Sequence, residues 1–517
     1  MRSFQAFDKV LAGLPLAYPG PGGAVAVLRE GEVIARHTWG FADLEKRIAF
    51  TPETLFRICS ISKQFTCAAM LDRHPDPGVL DADILALLPN LQQSAPAAVD
   101  LAHNQSGLRD YWAVAMLHGS PIEAAFGEAE TRAVISGTRT LQFAPGMRYS
   151  YCNQNFRMLG DVVAARAGLG YGDLLRKYVF DPAGMPTAQV CADTSAMPDG
   201  TVGYEGAPEP GFRPAVNNIF WTGDAGLGAS LDDMIAWERF IDSTRDDESG
   251  VYRRLSAPVT FRDGAEAFYG FGLVRVNLLG RVGTGHGGGL RGWRSFRFNL
   301  PAERISIVVL FNHMDDPRAA GLDLLATLIE APPKAEPKPA GVPWKGVFRE
   351  PETGLSARVD TVGPQTVKLQ FGHGPETLDV VSDDLARSGT VALRREGESV
   401  WMDRGADNQS SHLVAAEGTA TPDIEGRYIC AELDASFVCV AAGGALYGRF
   451  AGFLGEGVMQ LLTPLAADLW LLSMPRALDH TAPGDWTLGF RRDAAGKVAA
   501  VQIGCWLARG LEYVRAD

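Results

Sequence analysis

Apolar residues fill Ala24–Leu28 and follow Glu32 again at Val33, Ile34 and Ala35. Glu30-Gly31 lies between, so two strands joined by a hairpin turn are predicted. From Ser60 to Leu71 the spacing becomes helical, with Phe65, Cys67, Ala68, Ala69, Met70 and Leu71 apolar nearly all round. A helix of that kind is expected to be central and buried. Further helices are predicted near 155–167, 173–179 and 231–242, strands at 268–276, 293–299 and 305–311, and another helix at 318–329. Early and late strands with helices between them predict an α+β domain, an antiparallel sheet flanked by helices.

After residue 330 the pattern changes. The stretch 331–343 is rich in proline and reads as a semi-rigid linker. Beyond it, short alternating segments separated by Gly, Pro, Asp and Asn turns predict strands to the end of the chain. Trp344-Lys345-Gly346-Val347-Phe348 resembles Ile424-Glu425-Gly426-Arg427-Tyr428, and each string opens a β-rich block. The expected organisation is a domain over 1–331 followed by two small antiparallel β-barrels, 332–417 and 418–517.

The chain has 517 residues, enough for a large core and about three domains. Its 61 acidic residues outnumber 48 basic ones, giving a net charge of −13 that argues against nucleic acid or an anionic membrane as partner. The first residues carry no apolar signal segment, and no run approaches the ~18 apolar residues needed to span a bilayer. Seven scattered cysteines without a C-x-x-C pair fit free thiols in a reducing compartment, so a cytoplasmic location is expected. Nine dispersed histidines and the absence of a paired Cys/His cluster give no expectation of a metal.

The chemistry is concentrated in three strings. Ser60-Ile61-Ser62-Lys63 puts a hydroxyl and an amine three positions apart, on one face of a helix. A serine needs an adjacent base to become a nucleophile, and a Ser-x-x-Lys pair supplies one without a histidine triad. Alone, the pair also fits a solvated first turn with a serine cap. Tyr151-Cys152-Asn153, at the entry of a predicted helix, adds a phenol that can pass a proton and an amide that can bind lysine and substrate carbonyl together. Gly285-His286-Gly287-Gly288-Gly289, just before a predicted strand, lets a substrate backbone approach and adds a histidine to the wall.

Taken in order, Ser-x-x-Lys, Tyr-x-Asn and His-x-Gly resemble the three motifs of the penicillin-recognising serine hydrolases. Asn104-Gln105-Ser106-Gly107-Leu108, Ala229-Ser230-Leu231-Asp232-Asp233-Met234 and Tyr269-Gly270-Phe271-Gly272-Leu273 resemble further strings of that superfamily. The resemblance covers roughly 20–330. It implies a β-lactamase/transpeptidase-like domain, with a helical part beside a five-stranded antiparallel sheet and the catalytic helix between. Asn104 stands where a histidine is usual, and His286 where β-lactamases carry a lysine that holds a substrate carboxylate.

The strings together with the β-rich third resemble the bacterial D-aminopeptidases. That resemblance implies a cofactor-free homodimer that releases N-terminal D-residues, chiefly small ones such as D-Ala, from peptides, amides and esters through an acyl-enzyme. It implies Ser60, Lys63, Tyr151 and His286 as catalytic residues and Asn153 as a substrate contact. Gly289 is expected to lend an N–H to the oxyanion hole. A loop of the last barrel, Met474–His480, is expected in the site, with Asp479 contacting the substrate ammonium. An esterase, a D-Ala-D-Ala carboxypeptidase and a non-catalytic penicillin-binding sensor remain open on the same scaffold. A carbohydrate- or lipid-binding role for the β-rich third also remains open.

Overall fold

A computed structural model describes residues 2–330, 341, 343–372, 374–397, 399–474 and 484–516. The chain begins with an amphipathic helix α1, Arg2–Ala17, which the strand-and-motif reading did not foresee. Strands β1, Gly22–Arg29, and β2, Glu32–Asp43, form the expected hairpin. The central helix is α2, Ser62–Arg73, with every residue from Ser62 to Leu71 buried. Helix α3, Tyr111–Leu117, starts behind an Asp110 N-cap. Helix α4 is Asn153–Ala167 and α5 is Leu231–Ser243. Strands β3, Leu273–Leu278, β4, Arg281–Leu290, β5, Trp293–Leu300, and β6, Ile305–Phe311, precede helix α6, Pro317–Leu328.

The sheet order is β3-β4-β5-β6-β1-β2, extended by Tyr269–Gly270 outside β3 and Ile48–Ala49 outside β2. It is therefore eight strands wide, not five. One edge grows because the chain folds back between Tyr269–Gly270 and β3, and the other because Ile48–Ala49 folds back onto β2. The strand expected at 268–276 is broken there by Phe271 and Gly272, both at positive φ. The helix expected at 173–179 is a helix over Tyr171–Leu175 continued by a π turn, Arg176–Phe180. The glycine run expected just before a strand is itself the end of β4.

Both faces of the sheet are covered, and the period of two assigns the residues. Ala24, Ala26, Leu28, Val308 and Leu310 pack with α2 and the other helices on that face. Val25, Val27, Ile307, Val309 and Phe311 pack with Phe7 and Leu14 of α1 and with Leu324 and Leu325 of α6. That second layer explains α1, whose apolar face has a sheet to cover.

Residues Lys345–Arg349 to Gln409–Ala415 close into an eight-stranded antiparallel barrel. A second antiparallel sheet starts at Gly426–Cys430, and pairing of Ala435–Ala442 with Ala445–Gly452 closes it. The two similar strings open these two barrels, with Trp344 and Ile424 both buried. Most of the proline-rich linker lies outside the described residues. Ala113, Met116 and Leu117 of α3 share one apolar core with both barrels, which fastens them to the first domain. No helix among the described residues is long and apolar enough to cross a membrane.

Candidate active site

Ser60 stands on a single 3-10 turn, Cys59–Ile61, that runs directly into α2. Cys59 and Ile61 are buried, and Ser60 between them is half-buried. Cys59 holds φ at +50°, a left-handed conformation costing a non-glycine residue about 1–3 kcal/mol. Its surroundings impose it. A Cβ on Gly288 of β4 would lie 2.3 Å from the Ile58 carbonyl oxygen and 2.2 Å from Ser295 Oγ. From the other side Gly272, at φ +73°, brings its backbone so close that a Cβ would lie 2.5 Å from the Lys63 carbonyl carbon. The Ser60–Lys63 segment is thus clamped between two places where only glycine fits.

Lys63 is fully buried, with Nζ 3.0 Å from Ser60 Oγ. Nζ donates to Asn153 Oδ1 at 2.9 Å and to the Asp224 carbonyl at 2.8 Å. Both partners are pure acceptors. A neutral amine has two hydrogens, and these two bonds use them, so its lone pair faces Ser60 Oγ. Burial lowers the lysine pKa to about 8, against the opposing pull of Asp224 and Asp110.

Tyr151 completes this side. Its hydroxyl hydrogen-bonds with Ser60, and its ring centroid lies 4.9 Å from Lys63 Nζ. Burial pushes the phenol well above its ordinary pKa, outweighing the Ser60 bond, so it stays protonated. His286 lies beside it, ring centroids 6.2 Å apart. Both His286 nitrogens are occupied: Nδ1–H donates to the Gly287 carbonyl at 2.5 Å, and Nε2 accepts from Tyr269 O–H at 3.0 Å. Burial, then the Lys63 charge, lowers the imidazole to about 3, which keeps it neutral, and the acceptor-only Gly287 carbonyl at Nδ1 selects this tautomer.

Along β4, Arg281–Gly285 pair with β3, but His286–Leu290 pair only with β5. The end of the strand that carries Gly289 therefore lies beyond its pairing with β3. It faces a cavity of about 540 Å³ lined by Ser60, Tyr151, Asn153, His286 and Gly287–Gly289. Six of the seven residues singled out in the sequence are accordingly brought together. Asp479 and most of its loop lie outside the described residues.

Other residues of the site had weak signals or none. Asn104, at φ +55°, accepts the Cys152 N–H and an Asn155 amide hydrogen through Oδ1, so it supports the Tyr151 loop in place of the usual histidine. Asp110, which the sequence analysis did not single out, caps α3. Its carboxylate accepts the Asn153 backbone and side-chain N–H groups at 2.6 and 2.9 Å. Trp112 of α3 lines the cavity, as do Asp315 and Asp316 before α6 and Leu507 from the last barrel. Among the described residues no group of three or more His, Cys, Asp or Glu is placed to hold a metal.

Residues 7–331 match the Beta-lactamase family, and residues 337–514 match the family described as D-aminopeptidase, domain B. A D-aminopeptidase of Gluconobacter oxydans (strain 621H) is 54% identical over 99% of each chain. The chain belongs to the D-aminopeptidases of the penicillin-recognising serine hydrolases. A D-aminopeptidase of Brucella canis is 47% identical over 97% of each chain. The fold is shared more widely. An octameric penicillin-binding protein homologue from Pyrococcus abyssi superposes with a TM-score of 0.55 at 20% identity, covering 79% of this chain and 99% of its own. A D-amino acid amidase from Ochrobactrum anthropi SV3, solved with D-phenylalanine, gives 0.52 at 18% identity, covering 63% and 99%. Within this D-aminopeptidase, the Beta-lactamase match spans the serine, lysine, tyrosine and histidine strings, and the second match spans both barrels.

Proposed function

We propose that this chain is a D-stereospecific serine aminopeptidase that releases small N-terminal D-residues, D-Ala among them, from peptides, amides and esters. The observation that carries the reading is Lys63 Nζ 3.0 Å from Ser60 Oγ, with its two other contacts made to acceptor-only oxygens, so that the neutral amine turns its lone pair to the serine. Ser60 attacks the scissile carbonyl while Lys63 takes its proton, with Tyr151 relaying it to the leaving amine as a neutral hydroxyl. The N–H groups of Ser60 and Gly289 stabilise the oxyanion. Water then releases the D-aminoacyl group. His286, neutral and bonded at both nitrogens, shapes the wall beside Tyr151 and Ser60 rather than acting as a base.

The free amine of the substrate calls for a carboxylate. Asp479 is the candidate from the resemblance, and Asp315 and Asp316 on the cavity wall support an acidic environment for an ammonium. Asp316 caps α6 through Oδ1 and Asp315 Oδ1 accepts the Asp316 N–H, so each keeps a second carboxylate oxygen for an ammonium. Arg294 and Arg318 line the same cavity, which keeps a D-Ala-D-Ala carboxypeptidase as the second reading, since such an enzyme needs a cation for the substrate carboxylate. A homodimer in the cytoplasm completes the proposal.

Hydrolysis of D-Ala, L-Ala and N-acetyl-D-Ala p-nitroanilides, with N-acetyl-D-Ala-D-Ala as a fourth substrate, tests the assignment. Turnover confined to the free-amine D-substrate supports it. Preference for N-acyl-D-Ala-D-Ala would replace it with the carboxypeptidase.

A further inference from the structure

Asn153 presents its carbonyl oxygen to Lys63 only because something holds its amide the right way round. Asp110 is placed to do so. Its carboxylate takes the Asn153 Nδ2–H at 2.9 Å and the Asn153 backbone N–H at 2.6 Å, and its other oxygen takes the Trp112 N–H at 3.0 Å. A carboxylate offers only acceptors, so it selects the amide face and excludes the flipped rotamer. The backbone of Asp110 is fixed from another domain: its N–H donates at 2.9 Å to the carbonyl of Leu507, in the hairpin turn between Val498–Cys505 and Ala508–Arg515. Next to it, Arg109 Nε donates to the Arg509 carbonyl at 3.0 Å. The last barrel therefore reaches the catalytic pair through described residues, independently of the Met474–His480 loop.

We propose that Asp110, braced by the Leu507 turn of the C-terminal barrel, is a positioning residue that orients Asn153 and, through it, aims the Lys63 lone pair at Ser60. The proposal rests on Lys63 acting as the base in the function proposed above. The charged and titratable groups around Lys63 are Cys59 and Cys67 on its own segment, Asp110 and Tyr111 at the start of α3, and Tyr151 and Cys152 before α4. Asp224 and His286 approach from the loop before α5 and from β4. Arg157 interacts with Asp224, and Arg297 acts on His286. Of the two carboxylates, Asp110 alone also bonds the side chain that Lys63 bonds. Removing its charge removes a stabiliser of the lysine ammonium, so the lysine becomes neutral at lower pH.

The test is the pH dependence of Ser60 labelling by a fluorophosphonate in the full-length wild type, Asp110→Asn, Asp110→Ser and Asp110→Glu. Asn and Ser both keep an oxygen for the Trp112 N–H, so α3 can still start. Labelling needs no D-amino substrate, so a failed specificity assignment leaves this test intact. The expected result is an acid limb moved to lower pH in the Asn and Ser variants. Their plateau rate should fall on the order of 10–100-fold as Asn153 loses its orientation, and Asp110→Glu should restore the position of the limb. Folded Asn or Ser variants with the wild-type limb and plateau would overturn the proposal. A wild type unlabelled at Ser60 would overturn both it and the serine-hydrolase reading.

Discussion

Lys63 bonds three oxygens and, when neutral, has hydrogens for two of them. The chemistry proposed for this chain follows from that count. Ser60→Ala or Lys63→Ala should lower kcat by on the order of 10³-fold or more, because residues that act as one unit fail together. The double variant should be little worse than either single one, which steady-state kinetics will show. The lysine must be neutral to accept a proton, and its pKa is lowered to about 8. Activity should therefore rise as pH increases toward and through that value, and a pH profile of kcat/KM will locate the limb. A limb near the ordinary lysine value would mean that burial does not act as described. Ser60, Lys63 and Asn153 were legible because spacing along the chain carries their chemistry. Asp110, Asp224 and Leu507 were not, because they contribute a carboxylate contact, a backbone carbonyl and a turn that only the folded chain brings together.

The elements around the site work as clamps. Helix α2 was legible from its apolar run, and the strands expected at 293–299 and 305–311 are β5 and β6. What hydropathy could not show is how closely β4 and the Phe271-Gly272 turn press on the nucleophile turn, since a glycine gives no pattern. Gly288→Ala would place its methyl on the Ile58 carbonyl and Ser295 Oγ, and Gly272→Ala adds a left-handed φ to a collision with Lys63. Each should cost about 1–3 kcal/mol of stability by overpacking. Each should also lower kcat more than it raises KM, since the displaced atoms belong to the catalytic turn. Thermal melts and kinetics on the same preparations separate the two effects. The N-terminal helix escaped the sequence reading for a related reason: its burying surface is the far face of a sheet whose strands lie at both ends of the domain.

At the scale of the molecule, two β-barrels share a core with α3, and the last of them reaches the candidate site through Leu507. Their strands and the preceding linker were legible in the turn residues and alternation of the last third. Their docking was not, because it depends on contacts such as Arg109 with Glu432 at 2.7 Å, 323 positions apart. Arg109 is nearly buried, so Arg109→Ala loses its bonds to Glu432 and to the Arg509 carbonyl, at a cost of about 1–3 kcal/mol. Limited proteolysis should then release the last barrel faster than in the wild type, with activity falling as it does.

The central claim is that Ser60 carries a D-aminoacyl group during turnover. Mass spectrometry of the full-length protein, quenched at early times with D-alanine p-nitrophenyl ester and then digested, tests it directly. The account predicts a D-alanyl adduct on the peptide containing Ser60, much weaker with the L-alanine ester and absent from Ser60→Ala. Equal adducts from both enantiomers, or an adduct on another residue, would contradict it.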